Sequence, residues 1–313
     1  MAAATASAAP AALTRAFEGL SKPRIDPDLI LLFSDCHVNG HLDRYEQHEC
    51  PALKDTLERI LRLDPLPAQA IFFGDLAYLW GHREDYALAR ELLKPLADAG
   101  IKLTIGMGNH DRRSTFLEVF PEYVKTTRIP GKIVSVVDAG TIAFIMLDGL
   151  QGTDDRKLDD GGPGNGAFCE AQQEWLKAEL PKWRKPVFVC SHWPTGDFKI
   201  CGEPFQKFLM NQPMVAGYIH GHDHRWRKNV EWESWTSPRL LKTLCLPSTG
   251  HWGDIGFALM RVKADDTATV SLYQHDFYFP SPDPQEPGAN FEMWRQITEE
   301  NQNLKCSFTL SHA

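Results

Sequence analysis

Nothing in this 313-residue chain approaches the ~20 consecutive apolar residues that a membrane-spanning helix needs. The longest compact apolar run, Leu29 to Phe33, has the length of a strand. Basic residues are also short in supply, with 33 Lys and Arg against 41 Asp and Glu and a net charge of −8. A chain that wraps a polynucleotide displaces counterions with a basic surface. The deficit therefore argues against a nucleic-acid scaffold, and against a nuclease. Cysteine pairing is missing as well. The seven cysteines are odd in number and contain no CxxC, which fits neither a disulfide framework nor a thiolate zinc site. That usage points to a reducing cytoplasm. The first residues, MAAATASAAPAAL, lack the charged start and apolar centre of an export signal and read as a flexible extension. Export is the alternative if they are the remnant of a truncated signal.

Apolar residues at 43% and charged residues at 24% are ordinary for a globular protein. The length allows one large domain or two modest ones. Apolar strand-length segments at 28–33, 69–73 and 101–107 alternate with helical spacing at 51–63 and 84–99, the second helix carrying Pro95 and stopping at Gly100. That alternation predicts an α/β unit with neighbouring parallel strands. Strands are expected again at 132–138, 141–147, 186–191, 214–219, 241–246, 257–262 and 269–273, with a helix at 170–180. The polar, Gly-rich stretch 149–166 is too long for a plain connector and reads as an active-site rim. The expected organisation is a flexible extension over 1–27, one catalytic domain over 28–278 and an irregular tail over 279–313.

Five polar clusters each follow an expected strand: Asp35-Cys36-His37, Gly74-Asp75, Gly108-Asn109-His110-Asp111, His192, and Gly221-His222-Asp223-His224. Ligand sites of open α/β sheets gather beyond the carboxyl ends of strands, so five separate segments are expected to converge. Any one cluster reads equally well as turn or cap chemistry. Five of them in order at strand ends do not. Asp35 with His37, and His222 with His224, are two residues apart, and an extended backbone would point each pair the same way. Imidazole with carboxylate suits iron, manganese, zinc or cobalt better than calcium.

The order DxH, GD, GNHD, H, GHxH resembles the calcineurin-like metallophosphoesterase superfamily over residues 35–224. The stretches GDLAYLWGHREDYALARELLKPL, GMGNHDRRSTF and QQEWLKAELPKW…KPVFVCSHWP are similar to its class III cyclic-nucleotide phosphodiesterases and glycerophosphodiesterases. The resemblance implies a four-layer α/β/β/α sandwich of two mixed sheets. It also implies two divalent or trivalent metal ions, the first on Asp35, His37 and His224, the second on Asn109, His192 and His222, with Asp75 shared. His110 would be the substrate-contacting acid and Asp111 would orient its ring. Two divalent ions against the two carboxylates leave a net charge of about +2, which draws in a phosphate despite the acidic bulk. A metal-activated hydroxide then attacks phosphorus in line, and His110 protonates the leaving alkoxide.

The expected function is hydrolysis of small phosphodiesters or cyclic nucleotides. The alternatives are a phosphomonoesterase, for which Arg112 or Arg113 could supply cations, and a metal-binding scaffold without turnover. Relatives of this kind often pair, so a homo-oligomer is a further expectation. Two positions depart from the pattern. Tyr78 gives the second block a GDxxY reading that resembles purple acid phosphatases, leaving either His37 or Tyr78 as the metal ligand, with Tyr78 otherwise a pocket wall. His220 adds a third His to the last block, as a buried strand residue or as a ligand. Asn109, His110, Tyr78 and His251 are the candidate substrate contacts.

Overall fold

The computed structural model describes residues 23–40, 49–150, 166–196, 198–234, 237–278 and 305–310. The alternation expected in the first third is present: β1 (Ile25–Phe33), α1 (Glu49–Leu61), β2 (Leu66–Phe72), α2 (Arg83–Asp98) and β3 (Lys102–Ile105). β1, β2 and β3 are parallel neighbours, because parallel strands need a crossover and helices supply it. α2 continues through Pro95 to Asp98.

Next come α3 (Arg113–Val119), α4 (Tyr123–Thr126), the antiparallel pair β4 (Ser135–Ala139) and β5 (Ile142–Met146), α5 (Glu170–Glu179) and β6 (Val187–Cys190). The short β7 (Lys199–Ile200) and β8 (Glu203–Pro204) lead into α6 (Phe205–Met210) and β9 (Val215–His220). β10 (Arg227–Ser234), β11 (Ser237–Cys245), β12 (Gly253–Val262), β13 (Thr267–Tyr278) and β14 (Lys305–Thr309) complete the described elements. Twelve of the strands form two six-stranded mixed sheets, ordered β14-β13-β12-β1-β2-β3 and β10-β11-β9-β6-β5-β4, and β7 and β8 pair with each other.

Side-chain alternation explains why the sheets stack with helices outside. Ile30 and Leu32 of β1 join Phe144, Phe188, Met260 and Phe308 in the core between the sheets. Leu29, Leu31 and Phe33 face the other way, with Leu53, Leu57 and Ile60 of α1 and Leu93 and Leu96 of α2. A strand covered on both faces reads as a continuous apolar run, which is how Leu29–Phe33 reads. Phe188 of one sheet meets Phe308 of the other edge-on, with ring centroids 5.1 Å apart.

Two boundaries differ from expectation. β1 begins at Ile25, inside the expected extension, and residues 1–22 of that extension lie outside the described residues. The stretch 279–313 contains β14, which pairs antiparallel with β13 and buries Cys306 and Phe308. Five alternating residues set apart from other strands are too short a signal to read alone; residues 279–304 lie outside the described residues. Residues 151–165 of the expected rim do too, while its ends meet where Ala167 N donates to Gly149 O at 2.8 Å. Among the described residues, no helix is long and apolar enough to cross a membrane.

Candidate active site

Both sheets deliver the polar clusters to one place. Asp35 and His37 follow β1, Asp75 follows β2, Asn109, His110 and Asp111 follow β3, His192 follows β6, and His222 and His224 follow β9. Strand pairing extends into the loops and fixes their register. Asp35 N donates to Gly74 O and His37 N to Asp75 O, each at 3.0 Å, and Gly221 N donates to His192 O at 3.0 Å. Gly108 lets the third loop lie on the second, since a Cβ there would fall 2.3 Å from Asp75 N. Gly221 does the same for the fifth loop, where a Cβ would fall 2.6 Å from Asp35 Oδ2.

The paired residues do not converge by extended alternation. Asp35 (φ 55°), His37 (φ 46°), Asp75 (φ 55°), His222 (φ 73°) and His224 (φ 53°) all take left-handed backbone conformations. Each costs an L-residue about 1–2 kcal/mol. Such conformations persist where surrounding contacts over-determine them and concentrate at functional sites. Convergence thus comes from tight loops at the strand ends, a feature that two-residue spacing alone does not reveal.

The side chains form two groups of potential ligand atoms. One is Asp35, His37, Asp75 and His224, and the other is Asp75, His192 and His222; within each group the atoms lie within 4.8 Å of one another. Asp75 belongs to both. Its Oδ2 lies 3.5 Å from His37 Nε2 and 3.1 Å from His192 Nε2. Asn109 joins the second group through Oδ1, 2.9 Å from His192 Nε2 and 2.8 Å from His222 Nδ1. In the first group, His224 Nε2 lies 3.2 Å from Asp35 Oδ1 and 3.3 Å from His37 Nε2. Backbone carbonyls orient two of the rings. His192 Nδ1 faces Phe73 O at 3.0 Å and His224 Nδ1 faces Trp252 O at 2.9 Å. Each ring then presents Nε2 to the centre, the arrangement typical of ligating histidines.

Burial and charge pull these groups apart. Burial raises Asp35, but the His224 and His192 imidazoles outweigh it and hold the carboxyl below its ordinary range. Asp75 is held well below, with His192, His110 and His37 opposing its burial. Burial lowers His192, yet the Asp75 and Asp35 carboxylates hold it up at about 9. Burial and neighbouring His251 push His37 well down. In the metal-free chain the His192 proton is therefore the internal countercharge of two buried carboxylates.

Asp111, expected to orient the His110 ring, does something else. Its Oδ2 accepts from Asp75 N (2.9 Å), Leu76 N (3.3 Å) and Gly108 N (2.8 Å), and its Oδ1 from Ala77 N and Tyr86 Oη (both 3.1 Å). It binds the loop of the shared carboxylate to the loop of His110. Burial pushes its pKa up to about 7 and the Asp75 charge adds to this, against the backbone donors that favour the anion. The His110 ring instead sets Nδ1 3.2 Å from Leu79 O, while its backbone N–H donates to Asp75 Oδ1 at 2.8 Å. Adjacent residues diverge, so Asp111 points into the scaffold while His110 lines the cavity.

That cavity, of about 420 Å³, is lined by His37, Asp75, Tyr78, Asn109, His110, His222, His224 and His251, among others. Tyr78 is a wall residue, its ring 5.9 Å from that of His251. His37, not Tyr78, supplies the nitrogen that faces Asp75 and His224. His251 lies against His37 with ring centroids 4.1 Å apart. His220 is a buried strand residue outside both groups; burial lowers it to about 4 and its Nδ1 faces Gly221 O at 2.9 Å. Arg113 is buried and forks onto Asp148, at 2.6 Å from Nε and 2.7 Å from Nη2. It is committed there and does not serve a substrate. Arg112 is half-buried and does not line the cavity.

Sequence reasoning missed Arg225 and Leu79, which also line the cavity. It missed Ser248, whose Oγ donates to Asp35 O at 2.8 Å, and Tyr86, whose hydroxyl reaches Asp111. Arg225 directly follows the last block and Ser248 lies in the polar turn before His251, so both carried a local signal; Leu79 and Tyr86 sit in apolar and helical contexts that carry none.

The family model described as calcineurin-like phosphoesterase matches residues 29–226. A "Probable cyclic nucleotide phosphodiesterase" of Rhodococcus erythropolis is 30% identical over 201 residues, covering 61% of this chain and 60% of that protein. A second protein so named, from Rhodopseudomonas palustris, is 32% identical over 149 residues, covering 46% of this chain and 49% of that protein. The chain thus spans 49–60% of the length of these curated relatives. The crystal structure of a Thermus thermophilus protein, TT1561, aligns over 80% of this chain and 98% of that one, at 10% identity and a TM-score of 0.47.

Proposed function

The chain belongs to the calcineurin-like phosphoesterase family, and from that premise we propose that it is a metal-dependent phosphoric ester hydrolase acting on small phosphodiesters, cyclic nucleotides foremost. The observation that carries the reading is Asp75 Oδ2, which faces a nitrogen from each donor group at 3.5 and 3.1 Å. Two donor sets sharing one carboxylate fit a pair of ions better than a single ion. Asp35, His37 and His224 would hold one, Asn109, His192 and His222 the other, and Asp75 both. Bound there, the pair supplies Lewis-acid charge to the phosphoryl oxygens and lowers the pKa of a bound water to roughly 7.

The chain's own residues do the rest. The His110 ring is steadied at Nδ1 by Leu79 O, so that when both ring nitrogens carry a proton Nε2 meets the leaving oxygen and delivers its proton to it, the ring being left neutral with its hydrogen on Nδ1. General-acid help of this kind is worth about 10²–10⁴-fold and matters most for poor leaving groups. His110→Ala is expected to lose at least ~10-fold more rate on alkyl esters than on p-nitrophenyl esters. Equal losses on both classes would remove the general-acid role.

Metal uptake is expected to follow pH. A ligand imidazole must be neutral, and His192 holds its proton up to about 9 in the metal-free chain. Binding then expels that proton, so affinity should climb about tenfold per pH unit below 9 and level off above it. Calorimetry in buffers of different ionisation enthalpy counts the proton, and a count near zero at pH 7 contradicts this assignment.

Hydrolysis of bis- against mono-p-nitrophenyl phosphate and of a cyclic nucleotide, each with added Mn²⁺, tests the substrate reading. Preference for the diesters is the expected result. The monoesterase alternative needs cations for a dianion; Arg113 is already held by Asp148, which leaves Arg225 of the cavity lining to serve that reading. The filled donor positions and the placement of His110 in the cavity favour turnover over a purely metal-binding scaffold.

A further inference from the structure

The cavity over the donor groups has an aromatic wall for which the hydrolytic chemistry has no use. Trp252 lines it and is half-exposed. Its indole packs on the His224 ring, centroids 4.2 Å apart at 38°, while its carbonyl holds His224 Nδ1 at 2.9 Å. The turn that carries Trp252 is pinned from both sides. Ser248 Oγ donates to Asp35 O and accepts from His251 N, each at 2.8 Å. At Gly253 (φ 96°) a Cβ would fall 2.2 Å from His224 O, so the turn sits directly on the last ligand loop. His251, with its ring 6.3 Å from Trp252 and 5.9 Å from Tyr78, continues the aromatic surface inward to His37.

An indole fixed in this way is a preordered platform that loses little freedom when something flat settles on it. It packs directly on His224 of the first donor group, so one imidazole ring separates it from the other donors of that group, as one sugar separates a base from its phosphate. A cavity of about 420 Å³ is in the size range of single small-ligand sites. We infer that Trp252 is the stacking platform for the base of a nucleoside phosphodiester, and that it sets a preference for cyclic nucleotides over diesters without an aromatic group. The inference rests on the phosphodiesterase reading. Its chemistry is general: every base has a π-face and a glycerol headgroup has none.

The test compares 3′,5′-cyclic AMP with glycerophosphoethanolamine, which has no base, using the Mn²⁺-loaded full chain. The ratio of kcat/KM for the two substrates should fall roughly tenfold or more in Trp252→Leu, mainly through KM for cyclic AMP, and recover to within about threefold in Trp252→Phe. Calorimetry supplies a readout apart from turnover: 5′-AMP should lose about the same factor in affinity relative to inorganic phosphate. A ratio that does not move in Trp252→Leu, or a Phe variant as poor as the Leu variant, overturns the platform while leaving the phosphodiesterase reading in place. Wild-type protein that cleaves glycerophosphoethanolamine but not cyclic AMP overturns it in the same way. Wild-type protein that cleaves no phosphate ester with metal removes the underlying reading itself.

Discussion

Asp75→Asn should bind one metal ion or fewer per chain where the wild type binds two, and should lose on the order of 10³-fold or more in turnover of bis-p-nitrophenyl phosphate. The amide keeps one oxygen, which can still accept the His110 N–H now received by Asp75 Oδ1 at 2.8 Å. The loop therefore has a way to keep its shape. What the amide cannot reproduce is Oδ2, the atom facing His37 and His192 at 3.5 and 3.1 Å. An NH₂ group there has no lone pair for a metal. The substitution also takes away one of the two buried carboxylates that the His192 proton balances, so the thermal midpoint of the metal-free chain should fall at neutral pH. Elemental analysis of dialysed protein and steady-state kinetics together check the expectation. Two tightly held ions with a kcat within about tenfold of wild type would remove Asp75 from its shared position.

Asp111→Asn should be the more damaging change to the fold and a lesser one to the chemistry. Asp111 accepts four backbone N–H groups and the Tyr86 hydroxyl on two carboxylate oxygens. An amide turns one of those oxygens into a donor that confronts other donors, leaving buried N–H groups unsatisfied at about 1–3 kcal/mol each. The expected loss is about 3 kcal/mol of unfolding free energy in denaturant titrations. Turnover should fall roughly 10–100-fold, because Asp111 acts through the loops that place Asp75 and His110 and not on the substrate. Tyr86→Phe removes a single partner and should cost only about 1 kcal/mol. If Asp111→Asn proves as stable as Tyr86→Phe, the carboxylate is not the hub of the two loops.

Much of the site was legible because its parts carry local signals. A continuous apolar run followed by Asp35 and His37 reads as a buried strand emptying into a polar loop, and β1 does so. The same reading worked for Asp75, for Asn109 with His110, for His192 and for His222 with His224. The parallel α/β unit followed from alternating strands and helices, whereas the two-sheet sandwich, with side chains split between two cores, was implied only by the resemblance of the motif order. Other features depended on contacts that no spacing encodes. The left-handed backbone at five potential ligand residues depends on neighbouring loops pinning each one, so extended alternation was the wrong local geometry. Asp111 has the right residue type in the right block, but apart from Gly108 its partners come from a helix 25 residues away and a loop 34–36 away. Arg113 looked available for substrate until Asp148, itself unremarked, was found forked against it. β14 is legible only once β13 offers it an edge.

A Mn²⁺ titration of the metal-free chain, with bound metal and bis-p-nitrophenyl phosphate turnover followed in the same samples, tests the two-ion site most directly. The shared Asp75 predicts two ions per chain, with turnover appearing as the second site fills and declining when a chelator removes it. Binding of a single ion at full turnover, or turnover that persists without metal, would contradict the account.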